Sequence, residues 1–269
     1  MAFGMHLHER RKRTSVQSSL HSAIDTELPK WAPRSPPGTS HAGTWRTTLE
    51  KFAVASMPID VQPIVAADLR RCAEIEHDAF AESPSYPVLF PGPLPDDPLA
   101  LRVEGLEKEL REDPTVRILK AVDTELQGDE AIVAWAKFNS YPEGLPVPKP
   151  RVPPPGSNAE ACTALFVGID KMRERLMTGK PCVYLHILVT DPKHQRRGAG
   201  LQLMTPLMQE AVRLGVPAYL ESSVPGHRLY QKAGFRDIDE HRVDFSKFGQ
   251  ETPHLNWAMI WELPNRRCP

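Results

Sequence analysis

Residues 182–200 read CVYLHILVTDPKHQRRGAG, and the architecture turns on this stretch. Its first nine residues alternate Val183, Leu185, Ile187 and Val189 with Tyr184, His186, Leu188 and Thr190. Both sets are largely apolar, which predicts a central strand covered on both faces. Asp191-Pro192 ends the strand, and Gln195-Arg196-Arg197-Gly198-Ala199-Gly200 forms a turn rich in small residues. After it Met204, Leu207, Met208 and Ala211 fall at offsets 0, 3, 4 and 7, the spacing of a helix with one apolar stripe.

The turn has a physical use. Small residues at 198–200 let the main chain approach a ligand closely. The first amides of the helix have no acceptor inside it, and the helix dipole favours an anion there. Arg196 and Arg197 add positive charge. Together these make a diphosphate cradle. The lysine and hydroxyl of a Walker loop are missing, as is the three-glycine spacing of a dinucleotide fingerprint.

Working downstream, Gly215 and Pro217 stop the helix, and Tyr219-Leu220-Glu221 reads as a short strand. Pro225 to Ala233 is a short helix closed by Gly234, with Phe235 packing back on it. His254 to Trp261 alternates as a last strand, which puts Trp257 and Trp261 in the core. Pro206 lies inside the helix after the cradle and predicts a kink, since it costs about 3 kcal/mol in a straight helix.

Upstream, Ile59 to Val65 reads as a strand and Ala67 to Phe80 as a helix ended by Pro84 and Pro87. Pro91, Pro93, Pro95 and Pro98 predict an extended loop before a helix over 98–112. Val116 to Val122 and Glu130 to Phe138 form a hairpin about Gln127-Gly128-Asp129. The proline-rich run Tyr141 to Pro155 favours polyproline II as a surface loop, and Asn158 caps a helix reaching Met177. Residues 139–181 are therefore a loop-and-helix insertion. Residues 1–56 hold eight basic and four acidic side chains and no sustained apolar period, which predicts a disordered extension before a folded domain over 57–265. Met57 is a candidate alternative start. Arg10-Arg11-Lys12-Arg13 reads as a solvated tail, with a nuclear or organellar address as the alternative.

The bulk numbers narrow the partners. With 33 basic and 34 acidic residues, no global field recruits nucleic acid or an anionic membrane. The longest apolar stretch, Cys182 to Val189, is too short to span a bilayer, and no secretory signal core opens the chain. Four scattered cysteines have no metal or redox spacing, so a cytoplasmic setting with reduced thiols and no metal is expected. Oligomeric state is not readable.

The segment Gln195 to Gly200 resembles the signature of the GNAT (GCN5-related N-acetyltransferase) family: Gln or Arg, two variable residues, Gly, one variable residue, then Gly or Ala. Leu229-Tyr230-Gln231-Lys232-Ala233-Gly234-Phe235, about thirty residues on, is similar to the family's second landmark. The resemblance covers roughly 57–263, and the proline-rich loop and extra helix are similar to fungal-type members. It implies an α/β (α+β) fold: a mixed, twisted sheet of about seven strands flanked by helices, the fourth strand splaying from the fifth. It implies acetyl-CoA as co-substrate, with pantetheine against backbone near Leu188 and Val189. The diphosphate would lie along Gln195, Arg196, Arg197, Gly198, Ala199 and Gly200. The implied activity is direct acetyl transfer to an amine in a ternary complex. A small-molecule acceptor is expected; a protein or peptide acceptor, or a non-catalytic acyl-CoA-binding module, are the alternatives.

Such chemistry needs an acid and a base. Tyr230, a phenol with a reference pKa near 10, is the candidate acid for a thiolate whose conjugate acid titrates near 8.5. Glu221, at the end of the fifth strand, is the candidate base, acting through a water. His186, Glu76, His77 and Asp78 are further candidates, each with a structural role as the alternative. Ser222 and Ser223 read as caps of the following helix. The loop over 139–157 is expected to cover part of the acceptor cleft.

Overall fold

The computed structural model describes residues 58–93 and 96–263. The expected N-terminal extension, its basic cluster and Met57 lie outside the described residues.

The strands are β1 (Ile59–Pro63), β2 (Val116–Asp123), β3 (Ile132–Tyr141), β4 (Cys182–Thr190), β5 (Ala218–Ser223), β6 (Arg236–Phe245) and β7 (Gln250–Trp261). They form one sheet in the order β1-β2-β3-β4-β5-β7-β6. The β4–β5 pair is parallel and every other pair antiparallel, so the sheet is mixed, as expected. The helices are α1 (Leu69–Ala81), α2 (Tyr86–Leu89), α3 (Ala100–Glu112), α4 (Ala159–Cys162), α5 (Gly168–Met177), α6 (Ala199–Leu214) and α7 (Val224–Lys232). A π-helical turn, Thr163–Val167, joins α4 to α5 without a break.

Two faces are covered. On one, Leu203, Met204, Leu207, Met208 and Ala211 of α6 pack on Ala134, Ala136, Phe138, Val183, Leu185 and Leu220. On the other, Leu69, Cys72 and Ile75 of α1 and Leu106 of α3 pack on Ile118, Trp135 and Val189. The Trp135 indole donates to the Cys72 carbonyl at 2.7 Å, so its one polar atom is satisfied inside the core. Met172 and Met177 of the α5 helix cover Tyr184, Tyr219 and Ala258 on that same face. β4 is thus buried from both sides, for the reason its two apolar sets indicate.

Two features differ from the sequence reading. First, β4 does not alternate throughout. The register against β3 jumps between Phe138↔Leu185 and Lys137↔Ile187, which leaves His186 as the extra residue of a bulge. Beyond it Leu188 sits opposite Ala136 on the α6 face, while Ile187 and Val189 turn to the α1 face. The expected grouping of Leu188 with Tyr184, and of Ile187 with Leu185, is therefore inverted. Second, β6 has no counterpart in the sequence reading, and α2 forms between Pro84 and the expected loop over Pro91 to Pro98, where no element was read. Pro87 stands in the first turn of α2, where its missing N–H costs nothing. α6 is one helix from Ala199 to Leu214 with Pro206 inside it, on the partly exposed side opposite the buried stripe.

Candidate active site

β4 and β5 pair only from Val183↔Ala218 to Leu185↔Leu220. Both strands continue past that point, but with other neighbours. β4 stays on β3 as far as Thr190, and β5 stays on β7 as far as Ser223. From His186 onward the facing edges of the two strands carry no ladder bonds to each other, which leaves backbone donors and acceptors for a ligand. The bulge at His186 marks where the two strands part.

The cradle lies beside this gap. Arg196 has φ 65° and Gly198 has φ 83°, both left-handed. Among the described residues Arg196 is the one non-glycine with positive φ, a strain that clusters at ligand sites. The first helical bond of α6 runs from the Gln202 amide to the Gly198 carbonyl at 3.1 Å, so the amides ahead of it lack a helical acceptor. A Cβ added at Gly200 would lie 3.3 Å from Leu188 Cδ2 and 3.4 Å from Leu229 Cδ2. β4, the start of α6 and α7 therefore converge at that glycine.

The charges around the cradle divide differently from the sequence reading. Arg196 and Gln195 are exposed at the loop surface. Arg197 is engaged elsewhere: it pairs with Asp123 at 2.6 Å and its Nη1 bonds His194 Nδ1 at 3.0 Å. Asp123, at the end of β2, is 1% exposed, so Arg197 fastens the loop to the sheet. A second fastening was not foreseen. Asp191 is bonded by Arg71 of α1 and caps the turn that follows by accepting from the Lys193 amide at 2.9 Å. Both side chains of the Arg71–Asp191 pair are buried.

Tyr230 sits on α7, 7% exposed and packed in the α6-side core. Its ring meets the Phe235 ring edge-on at 6.2 Å, and a Cβ at Gly226 would touch its Cε2 at 3.0 Å. Burial raises its pKa, so the phenol keeps its proton at any physiological pH.

On the opposite face lies a buried charged network. The Tyr184 hydroxyl donates to Glu221 Oε2 at 2.7 Å. Arg173 of α5 lies 3.4 Å from the same oxygen and also bonds the Tyr184 hydroxyl and Asp170. Arg151, from the proline-rich loop, holds Asp170 with two bonds of 2.6 and 2.9 Å. Burial raises the pKa of Glu221, opposed by Arg173 and by the phenols of Tyr184 and Tyr219. The loop itself is seated on the body: the Leu145 amide donates to the Lys180 carbonyl, and the Gly179 amide to the Leu145 carbonyl, each at 2.9 Å.

The remaining candidates separate. Glu76 is paired with Arg102 at 2.8 Å, and burial raises its pKa. His77 lies 3.4 Å from the Tyr86 hydroxyl, and Asp78 is exposed. His186 is exposed on the bulge, its ring 4.1 Å from that of Tyr184. Neither serine caps α7: no side-chain cap bond forms there, and Ser222 Oγ bonds the Ser223 carbonyl instead. Trp261 belongs to the core, and Trp257 stacks on His227 at 4.2 Å. Asp170, Arg173, Asp123 and Asp191 escaped the sequence reading. The i,i+3 spacing of Asp170 and Arg173 on a helix was the one available signal.

The acetyltransferase (GNAT) family model matches residues 85–235. The chain belongs to the GNAT family. It is an N-acetyltransferase, an acyltransferase whose acetyl donor is acetyl-CoA. Among solved structures, a histone acetyltransferase HPA2 and related acetyltransferase from Corynebacterium glutamicum is 20% identical, with TM-score 0.46, over 77% of this chain and 99% of that one. A putative acetyltransferase, yncA, from Salmonella typhimurium with its cofactor acetyl-CoA is 16% identical, with TM-score 0.48, over 79% and 98%. Arabidopsis thaliana NAA60 with a bisubstrate analogue is 15% identical, with TM-score 0.47, over 76% and 97%. The donor's diphosphate suits the cradle on this chain's own terms, namely two left-handed residues and helix amides without a helical acceptor. Among the described residues no helix is long and apolar enough to cross a membrane, and no group of three acidic, histidine or cysteine side chains could hold a metal.

Proposed function

We propose that this GNAT enzyme acetylates the amine of a small molecule by direct attack, with donor and acceptor held together between β4 and β5. The observation that carries the reading is the parting of β4 from β5 at Leu185 and Leu220, with the cradle on one side and the charged network on the other. The amides from Arg196 to Gly200 hold the diphosphate, with Gln195 and the exposed Arg196 at the rim. Free backbone groups near Leu188 and Val189 pair with the pantetheine arm and polarise the thioester carbonyl. Holding both reactants in one gap supplies several kcal/mol by proximity. Tyr230 gives its proton to the departing sulfur. Its burial makes it a weak acid, so the transfer is driven by the basicity of a thiolate in the same desolvated gap.

Glu221 faces the acceptor with its carboxylate already bonded by Tyr184 and Arg173. In this reading it anchors the acceptor side, and a water on it relays protons. The loop carrying Arg151 roofs the same side, which favours a compact acceptor over a polypeptide. Its proline-rich character also supports a place among fungal-type members. The buried free thiols Cys72, Cys162 and Cys182 support a reducing, cytoplasmic setting.

The test is a thiol-release assay with acetyl-CoA and a panel of tyramine, putrescine and an alanine-initiated peptide, run on the wild type and on Tyr230→Phe. The expected result is turnover of a small amine, lowered about 100-fold in kcat by the substitution with the acetyl-CoA KM held within about 2-fold. Unchanged turnover in Tyr230→Phe removes the acid assignment, and preferred turnover of the peptide transfers the reading to a protein acceptor.

A further inference from the structure

We propose that Ser85 and His254 bolt a strap across the open end of the gap and so set the size of the acceptor. Their role rests on the acetyl-transfer reading above and adds what keeps its acceptor compact. Sheet order places the strap. α1 packs on β2, β3 and β4 through Ile118, Trp135 and Val189. α2 begins only a few residues later, at Tyr86, yet its Leu89 packs with Val243 and Phe245 of β6. β5 and β7 lie between those strands and β6. Residues 82–85 therefore cross the face of the sheet, over the gap between β4 and β5.

The crossing falls where the gap is open. β5 pairs with β4 only as far as Leu220, and its free stretch runs on to Ser223, opposite Asn256 of β7. His254 stands two residues beyond Asn256, on the face of Ala258 and Tyr184, which is also the face of the charged network. The Ser85 hydroxyl lies 2.7 Å from His254 Nδ1. Ser85 is 1% exposed, and the His254 ring meets Phe245 edge-on at 6.2 Å, so both ends of the bond are held in place.

Among the described residues this is the one hydrogen bond from residues 82–90 to a strand. The strap's other bonds are local or reach neighbouring segments. The Ser83 amide donates to the Phe80 carbonyl and the Tyr86 amide to the Ser83 carbonyl, each at 2.9 Å. The Tyr86 hydroxyl lies 3.4 Å from His77 Nδ1 on α1. At the far end the Asn158 amide donates to the Leu89 carbonyl at 2.8 Å, and the Gly92 amide to the Gly156 carbonyl at 3.2 Å. The strap is thus joined to α1 at one end and to the proline-rich loop at the other, with a single bolt to the sheet between them.

Size selection follows from that bolt. A polypeptide acceptor needs an exit for the chain beyond its amine, and the strap closes the one between α1 and β7. A small amine needs no exit. Selectivity of this kind is a barrier against the larger partner rather than an extra contact with the smaller one. Displacing the strap breaks a buried hydrogen bond and strands both partners, a penalty of about 10-fold in binding. Ser85 and His254 touch no reacting atom, so they are positioning residues.

The experiment compares kcat/KM for the best small amine of the panel above with that for its alanine-initiated peptide. It uses the wild type, Ser85→Ala, His254→Phe and the double variant, with folding checked by thermal melts. Each single variant is expected to lower the preference for the small amine at least about 10-fold through the acceptor KM, with kcat and the acetyl-CoA KM within about 2-fold. The double variant is expected to lose no more than either single one, since both remove the same bond. His254→Asn, which keeps a polar atom where Nδ1 stands, is expected to retain the preference. A preference within about 2-fold of wild type in a folded Ser85→Ala or His254→Phe overturns the proposal, so one folded variant is enough to decide. That result in an enzyme still selective for small amines overturns the strap alone. A wild type that acetylates the peptide better than any small amine overturns the compact-acceptor reading, and the strap's role with it.

Discussion

Replacing Gly200 with alanine separates cofactor approach from fold stability. Gly200 is in the first turn of α6, and no left-handed φ requires glycine there. An added Cβ would lie 3.3 Å from Leu188 Cδ2 and 3.4 and 3.6 Å from the two δ carbons of Leu229. These are the ends of flexible side chains, so a shift of a few tenths of an ångström relieves the contact at a cost of about 0.5–1 kcal/mol. Alanine returns up to about 1 kcal/mol of helix propensity. The two nearly cancel, so the melting temperature is expected to stay within roughly 4 °C. Binding has no such compensation. The methyl pushes Leu188 and Leu229 toward the gap and lifts the ligand from the amides. A loss of about 1.4 kcal/mol, a tenfold weaker Kd for acetyl-CoA, is the expected result. Calorimetric titration beside a thermal melt reads both quantities. An unchanged Kd in a variant that melts with the wild type would refute the placement of the donor against Gly200.

Two further outcomes follow from the fastenings. Asp191→Ala leaves the buried Arg71 guanidinium with only the longer contacts to Glu130 at 3.7 Å and Glu74 at 4.0 Å, and is expected to cost about 3 kcal/mol, or roughly 10 °C in Tm. A melt within about 2 °C of wild type would contradict that pairing. Arg151→Gln removes the two bonds to Asp170 and is expected to speed proteolytic cleavage within residues 142–157 several-fold, acetyl-CoA affinity being unchanged; equal cleavage rates would count against a loop held by that arginine.

The sheet's centre was legible because two periods meet there. Residues 182–190 have apolar side chains on both faces, and the offsets of Met204, Leu207, Met208 and Ala211 are those of a helix. The bulge was not legible for the same reason. With both faces apolar, a one-residue slip at His186 exchanges one hydrophobic side chain for another and leaves no trace in the pattern. β6 was missed because RDIDEHRVDF is mostly polar. It forms one edge of the sheet and pairs with β7 alone, so few of its residues need be apolar. Arg197 stood beside Gly198 and read as a phosphate ligand, but its buried partner Asp123 is distant in the chain and no local spacing announces it. The acceptor-side network draws on the loop, α5, β4 and β5, and only the folded sheet brings Arg151, Arg173, Tyr184 and Glu221 together.

The main-chain grip on the diphosphate is tested most directly by titrating the wild-type chain with acetyl-CoA and, separately, with S-acetyl-4′-phosphopantetheine and S-acetylpantetheine, which keep the thioester arm and carry one phosphate and none. Acetyl-CoA is expected to bind at least about tenfold more tightly than S-acetylpantetheine, a difference of about 1.4 kcal/mol or more, with part of it already present in the phosphorylated arm that has no adenosine. Equal affinities, or no binding of acetyl-CoA at all, would contradict the cradle.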